Sequence, residues 1–293
     1  MSHPDTKVLL LGATGMVGGA LREQAARANL SMCCHSRTPP EPAAGPQQSW
    51  IANDLFRDQI DFSGDTVLSA GPLDGLVAWL QRENPRGLKR IVALSSTSVH
   101  TKQDSSDPAE RALAARLRDA EALLVAWCAS RDVRWTILRP TLIYDDAFGG
   151  ALGRLVAIAR RLGVVALPSD ARGLRQPVHA DDVARAMRAA LDHPAACDRA
   201  YDLPGGETLD YRRMVARTLA LAAPGARLLA LSPRMFALAA PAARHLPALA
   251  ALTPEVLARM RCDLVFDAGP AARDLSHAPR HFPGAVLAES RAR

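Results

Sequence analysis

Lys7–Leu21, KVLLLGATGMVGGAL, decides the fold. Lys7–Leu11 closes on an unbroken apolar run, as a strand buried on both faces at the centre of a parallel sheet must. Gly12-Ala13-Thr14-Gly15-Met16-Val17-Gly18 follows directly and opens a helix expected over about 16–28. Phosphate binding needs this order. The first glycine permits the tight turn, the second keeps a Cβ away from a pyrophosphate, and the third lets helix and strand pack closely. The free N–H groups at the helix start then face the anion. A lone glycine motif says little, but a strand before it, a helix after it and a strand–helix rhythm beyond it give it weight.

Working outward, Leu30–Cys34 reads as a second strand that runs out at His35-Ser36-Arg37. An acidic residue there would hold the ribose hydroxyls of NAD, whereas Arg37 suits the 2′-phosphate of NADP, so NADP(H) is expected over NAD(H). A solvated arginine is the plainer reading of the same residue. Thr38–Gln48, with four prolines and a glycine, is a loop. Thr66–Ala70 and Ile91–Leu94 are further strands, with a helix over Leu73–Arg82 between them. Asp107 as cap, Pro108 at the first helical position and Glu110 as capping-box partner open the next helix. Leu113, Leu117, Leu124 and Trp127 give that helix one apolar face, and Trp135–Pro140 is the strand after it. Beyond about residue 145 the alternation weakens and helices rich in Ala, Leu and Arg take over.

The expected fold is therefore α/β: a doubly wound parallel sheet of Rossmann type with a smaller, mostly helical substrate region. The Rossmann part is expected to hold residues 1–145 and 173–203, and the substrate region 146–172 and 204–293.

The composition narrows the function classes. Of 293 residues, 48% are hydrophobic and 23% charged, which excludes a disordered or fibrous chain. Five cysteines with no C-x-x-C argue against a disulfide framework and a zinc site, and no metal is expected. The start, MSHPDTK, lacks the apolar stretch of a secretory signal, and nothing approaches the roughly 20 apolar residues of a membrane span. A cytoplasmic protein is expected. The net charge is +6, yet only three of the 36 basic residues are lysines: Lys7, Lys89 and Lys102. Scattered arginines with 4% aromatics do not make a nucleic-acid surface.

Several ordered matches give a family resemblance over most of the chain. Gly12–Gly18, Asn53-Asp54-Leu55, Ser69-Ala70-Gly71, Ser95-Ser96-Thr97-Ser98-Val99-His100, Leu138-Arg139-Pro140, Arg175–Ala184 and Leu203–Glu207 follow one another at family spacing. Together they resemble the extended or atypical short-chain dehydrogenases/reductases, the NAD(P)-dependent epimerase/dehydratase superfamily. The resemblance implies dinucleotide contacts from Gly12, Thr14, Gly15, Met16, Val17, Gly18, Ser36, Arg37, Asp54, Leu55, Ser69, Ala70, Gly71, Ser95 and Pro140. It puts Ser96 at the catalytic serine position and His100 where the family has tyrosine.

The chain departs from the family at its proton relay. The family's Tyr-x-x-x-Lys falls on the helix after the serine strand, where the lysine holds the ribose and lowers the tyrosine's pKa. Here the tyrosines are Tyr144, Tyr201 and Tyr211, none on the helix from Asp107 to Trp127, and Leu113 and Leu117 stand at the two relay positions. Two readings follow. In one, an oxidoreductase or epimerase/dehydratase-type enzyme acts on a small, anionic or nucleotide-sugar-like substrate, with His100 or Tyr144 supplying acid–base chemistry beside Ser96. In the other, the domain binds dinucleotide without turning it over, as NmrA-like regulators and complex I accessory subunits of this superfamily do.

Two further expectations concern the second half. Asp181-Asp182 reads as a helix cap, with His179 packed under the nucleotide site. Between Asp210 and Glu255 there is no acidic residue, while Arg212, Arg213, Arg217, Arg227, Arg234 and Arg244 occur. Peripheral contact of 211–254 with an anionic membrane surface is one reading, and an ordinary helical subdomain is the other. The oligomeric state is not legible.

Overall fold

The computed structural model describes residues 8–40, 47–236 and 254–284. Strands and helices alternate through the first half: β1 (Val8–Leu11), α1 (Met16–Arg27), β2 (Met32–Ser36), β3 (Gln48–Ala52), β4 (Thr66–Ser69), α2 (Leu73–Glu83), β5 (Arg90–Leu94), α3 (Ser98–Thr101), α4 (Pro108–Ala129) and β6 (Arg134–Pro140). With the strand Arg199–Leu203 they form one seven-stranded parallel sheet, ordered Arg199–Leu203, β6, β5, β4, β1, β2, β3. The order reverses between β4 and β1. Chains leave those two strands in opposite directions, so their C-terminal ends open a crevice, the place where doubly wound sheets take their ligands.

The apolar run of β1 divides its side chains between two cores. Leu10 packs with Val17 and Leu21 of α1 and with Val183 and Met187 of the helix Ala180–Asp192. Leu9 and Leu11 point to the other face, among Leu76 and Trp79 of α2 and Leu124 and Trp127 of α4. Each fully buried leucine contributes about 2 kcal/mol by leaving water. The alternation is the period of two that any strand imposes, here with apolar partners on both sides.

Asp107 caps α4 as expected, its Oδ1 accepting from the Ala109 N–H at 2.8 Å. Glu110 does not close the capping box. The Asp107 N–H donates to Ser105 Oγ instead, and Glu110 turns toward Ser105, Lys102 and Arg259. The apolar face of α4 is also graded: Leu124 and Trp127 are buried, whereas Leu113 and Leu117 are half-buried at the crevice end.

Helices dominate the second half, with Gly150–Leu162, Ala180–Asp192, Tyr211–Ala222 and Gly269–Leu275 among them. Short strand pairs accompany them, which the weakened alternation of the sequence did not announce. Ile143–Tyr144 pairs in parallel with Val178–His179, Val164–Pro168 in parallel with Arg227–Leu231, and Leu174–Arg175 antiparallel with Leu209–Asp210. The expected division of the chain fails at one point. Gly269–Leu275, assigned to the substrate region, puts Ala271 and Leu275 into the Rossmann core beside Val183, Met187 and Tyr201. A helix carrying its apolar residues on one side is placed by the core it can reach, whatever its position in the chain.

The basic segment also needs correction. Arg217 is 3% exposed and pairs with Glu207 at 2.7 Å, so it faces no membrane. Arg244 and most of the run from Met235 to Ala243 lie outside the described residues. Among the described residues no helix is long and apolar enough to cross a membrane. All five cysteines are free thiols, and burial pushes Cys34 and Cys128 up to about 12, which makes them poor nucleophiles.

Candidate functional site

The glycine turn sits at the crevice. Gly12 has a φ of +74°, and a Cβ there would meet the Gly71 backbone nitrogen at 2.5 Å. A Cβ on Gly18 would run into the Gly12 carbonyl, so Gly12 serves the left-handed turn beside the end of β4 and Gly18 the close packing of α1 on that turn. Gly15 is different: a Cβ on it meets nothing nearer than the Gly12 oxygen at 3.4 Å, and its outer side is open. Gly15 is also the N-cap of α1, and no side chain caps that helix end. No acidic residue lies in its first turn either. The positive end of α1 therefore has no capping side chain and no acidic residue of its own first turn to balance it.

Around the turn, the residues expected to touch a dinucleotide converge on the strand ends. Thr14 Oγ1 and Ser36 Oγ are 2.8 Å apart, and Ser36 also accepts from the Thr38 N–H at 3.2 Å, which ties the turn to the end of β2. Arg37, the next residue, is exposed there. Asp54 Oδ1 accepts from the Phe56 N–H at 2.8 Å, and Leu55 is buried against α2, where Gly75 leaves it room. Ser69 is fully buried with its hydroxyl unpartnered, Ala70 donates its N–H to Leu11, and Gly71 abuts Gly12. Met16, Ser95 and Pro140 line the main cavity described next. Val17 is buried on α1, in the core under the turn.

That cavity is about 530 Å³ and spans both halves of the molecule. One wall comes from Ser95, Ser96, Thr97, Ser98, Thr101 and Lys102; the other from Leu152, Leu155, Arg175, Tyr211, Met214, Arg259 and Phe266. Lys102, Arg175 and Arg259 face it, and among the described residues no carboxylate lines it. A second cavity of about 320 Å³ shares Ser95 and Ile143 with the first and is walled by Ala70, Gly71, Leu113, Arg116 and Leu117. Leu113 and Leu117, at the relay positions of the resemblance, thus present hydrocarbon to the crevice.

A polar network missed in the sequence holds the floor. Ser95 Oγ donates to Glu121 Oε1 at 2.5 Å, and Arg139 donates to both carboxylate oxygens, at 2.9 and 2.5 Å. Hydrogen bonding to Glu121 raises the Arg139 pKa against the opposing effect of burial. Ser96 Oγ accepts from the Ser98 N–H at 3.1 Å and donates to Ser98 Oγ at 3.1 Å.

The two acid–base candidates are placed elsewhere. His100 turns to Asp202, with Nε2 3.1 Å from Oδ1, and its ring lies 6.2 Å from that of Phe266; it does not line the cavity. One residue beyond the buried Val99, His100 is exposed, beside Phe266 of the cavity wall. Tyr144 is 1% exposed in an aromatic cluster with Phe148, His179 and Phe282, and burial pushes its hydroxyl up to about 12. A phenol sealed in that way holds its proton. Ser96 alone of the three lines the cavity.

Nor do Asp181 and Asp182 cap their helix. His179 is the cap, its Nδ1 accepting from the Asp181 N–H at 3.1 Å, and the aspartates occupy the first turn. His179, Asp181 and Asp182 bring three ligand atoms within 4.8 Å of one another. Arg280 donates to both aspartates, at 2.7 and 3.0 Å, and Arg185 pairs with both as well, so the carboxylates are already neutralised.

The sequence reading also missed Lys102, Tyr211 and Arg259. Burial, with Arg259 nearby, pushes the Lys102 pKa below 10.5 against the pull of Asp107, while Nζ lies 3.6 Å from Glu110. Burial pushes Tyr211 up. The Arg175 guanidinium lies 5.3 Å from the centre of the Tyr211 ring and donates to the carbonyls of Leu174, Cys262 and Arg259. One signal for Lys102 was available: it is one of three lysines in a chain that otherwise uses arginine.

Residues 73–203 match the model of the NAD dependent epimerase/dehydratase family. No curated protein matches the chain in sequence. The fold is shared with solved structures. UDP-glucose 4-epimerase from Thermotoga maritima, solved with UDP-glucose, is 13% identical over 93% of each chain, with a TM-score of 0.68. UDP-glucuronic acid 4-epimerase from Bacillus cereus, solved with NAD, is 14% identical over 94% of each chain, at 0.66. The terminal R domain of the myxalamid PKS-NRPS pathway is 18% identical over 96% of this chain and 87% of that one, at 0.72.

Proposed function

We propose, for a chain whose residues 73–203 match the model of the NAD dependent epimerase/dehydratase family, an NADP(H)-dependent oxidoreductase or epimerase/dehydratase-type reaction on a small anionic substrate. The observation that carries this reading is the main cavity. It begins at the uncapped helix end that suits a pyrophosphate and continues into a chamber faced by Lys102, Arg175 and Arg259. Arg175 and Arg259, on the same wall as the apolar Leu152, Leu155 and Met214, suit a ligand with an anionic group and a neutral body, such as a sugar nucleotide.

The residues present fit a nicotinamide dinucleotide. Gly15 leaves an opening beside the α1 N-terminus, and the buried Ser69 hydroxyl has no partner of its own. When bound, such a group would accept or donate hydride. Gly15, Met16 and Val17 would hold its pyrophosphate, Ser69–Gly71 its adenosine ribose, and Ser95 and Pro140 its nicotinamide end. Arg37, exposed beside Ser36, supports the 2′-phosphate of NADP. Ser96, the hydroxyl at the cavity floor, would orient the reacting oxygen of the substrate.

Titration with NADPH and NADH tests the reading. Micromolar binding of NADPH, weaker binding of NADH and a further thermal shift on adding UDP-glucose are expected; absence of dinucleotide binding below millimolar concentration refutes it. Leu113 and Leu117 at the crevice favour the second reading, a dinucleotide-binding protein without turnover. Binding of NADPH without turnover of any sugar nucleotide, ketone or aldehyde would select it.

A further inference from the structure

We propose that Lys102 is the proton-transfer residue of the main cavity, serving the substrate's reacting oxygen in place of the tyrosine that α4 lacks. The proposal rests on the dinucleotide-dependent reading above.

Position comes first. The cavity runs from Met16, at the glycine turn, past Ser95, Ser96 and Pro140 at the ends of β5 and β6, to Lys102 just beyond α3. Lys102 therefore shares a wall with Ser96, the hydroxyl at the family's serine position. The primary amine stands on the chain segment directly after the serine strand rather than on the next helix.

The other titratable groups are unsuited. Arg175 and Arg259 also line the cavity, but a guanidinium stays protonated and holds charge without moving a proton. Tyr211 lines it too, but burial pushes its hydroxyl up, away from a working base. Burial pushes the Lys102 ammonium the other way, toward the neutral amine. His100 and Tyr144 do not reach the cavity.

The surroundings match that role. Glu110 of α4, Asp107 at its N-cap and Arg259 of the helix Pro254–Arg259 are the charged groups about Lys102 among the described residues. Glu110 lies 3.6 Å from Nζ, yet its carboxylate also accepts from Ser105 Oγ at 2.8 Å and pairs with Arg259. One carboxylate shared between two cations holds each less firmly than a private pair would. Arg259 opposes the charge on Lys102 directly.

In the oxidising direction the neutral amine of Lys102 takes the proton from a substrate hydroxyl. An oxidised nicotinamide dinucleotide, when bound, would supply the acceptor for the hydride that leaves the substrate carbon as the C–O bond becomes C=O. In the reducing direction the ammonium of Lys102 returns the proton to the carbonyl oxygen. Ser96 would hydrogen-bond the same oxygen in both directions.

Lysine labelled with ¹³C at Cε tests this without a known substrate. The chain has three lysines, and K102M identifies the Lys102 signal by its loss. Lys89, exposed and 3.7 Å from Asp65, is the internal reference. The Lys102 signal is expected to titrate below that of Lys89; a midpoint at or above it overturns the proposal. With NADP⁺ and UDP-glucose as probe, K102M and K102R are both expected to keep dinucleotide affinity and to lose about 100-fold in kcat. K102R is informative because it keeps the charge and loses the transferable proton. Wild-type kcat in K102M, or loss in Y211F alone, overturns the proposal. If the wild type does not turn over UDP-glucose, the titration decides. Failure of the wild type to bind NADPH refutes the dinucleotide reading while leaving the Lys102 titration readable, so the two failures are distinguishable.

Discussion

Ser95 and Arg139 meet on one carboxylate: the Ser95 hydroxyl and the Arg139 Nε both donate to Glu121 Oε1, at 2.5 and 2.9 Å. The pairing joins the ends of β5 and β6 to the middle of α4, beneath the wall where nicotinamide is proposed to lie. Glu121 and Arg139 are both largely buried, so neither charge has water to fall back on. E121A is expected to cost about 3 kcal/mol, read as a lower urea midpoint, and R139A a similar amount. The double variant should cost little more than either single one. Additive losses would show that the two residues act independently.

The glycines of the turn should separate by role. G18A forces a Cβ into the Gly12 carbonyl and is expected to destabilise the fold by several kcal/mol. G15A brings its Cβ no nearer than 3.4 Å to the Gly12 oxygen, an ordinary contact, so its melting temperature should stay close to wild type while NADPH affinity falls at least about tenfold. A stable, fully binding G18A would refute the packing assignment.

Arg37 lies exposed at the end of β2, one residue past the Ser36–Thr14 hydrogen bond. R37D should weaken NADPH, whose 2′-phosphate it would repel, and strengthen NADH through the ribose hydroxyls. An unchanged ratio of the two dissociation constants would remove Arg37 from the site.

His100 should prove dispensable for the cavity. It does not line the cavity and its Nε2 lies 3.1 Å from Asp202, so H100A is expected to keep dinucleotide affinity and turnover within about twofold, at a stability cost below about 1 kcal/mol. A large kcat loss with unchanged binding would return it to the mechanism.

Stability should fall on mild acidification. Burial lowers the pKa of His35, whose Nε2 lies 2.6 Å from Asn53 Oδ1, and of His277, whose Nε2 donates to the Pro204 carbonyl. A histidine whose folded pKa lies below its unfolded value of about 6.5 binds its proton more readily when unfolded. Its contribution is complete above that unfolded pKa and is lost as pH falls from there toward the folded value. The slope is at most about 1.4 kcal/mol per pH unit for each histidine. Urea unfolding at pH 7.5 and below 6.5 measures it, and H35N should flatten part of it. Equal stability across that window would contradict the burial argument.

Much of the scaffold was local information. The run ending at Leu11, the spacing of Gly12, Gly15 and Gly18, and the Asp107-Pro108 start of α4 each state a short-range requirement: an apolar strand, a left-handed turn, a capped helix. Such requirements are met within a few residues, so the sequence by itself determined the parallel α/β fold and the place of its glycine turn. It also determined that α4 carries Leu113 and Leu117 but neither a tyrosine nor a lysine. Where side chains from distant segments meet was decided only in three dimensions. Arg175, Tyr211 and Arg259 reach Lys102 across one cavity although up to 157 residues separate them in the chain. Of His100 and Lys102, two positions apart, Lys102 lines the cavity while His100 pairs with Asp202, a partner 102 residues away in the chain. The helix Gly269–Leu275 returned to the Rossmann core for the same reason: burial of apolar area depends on which surfaces meet in space, and chain order does not encode it.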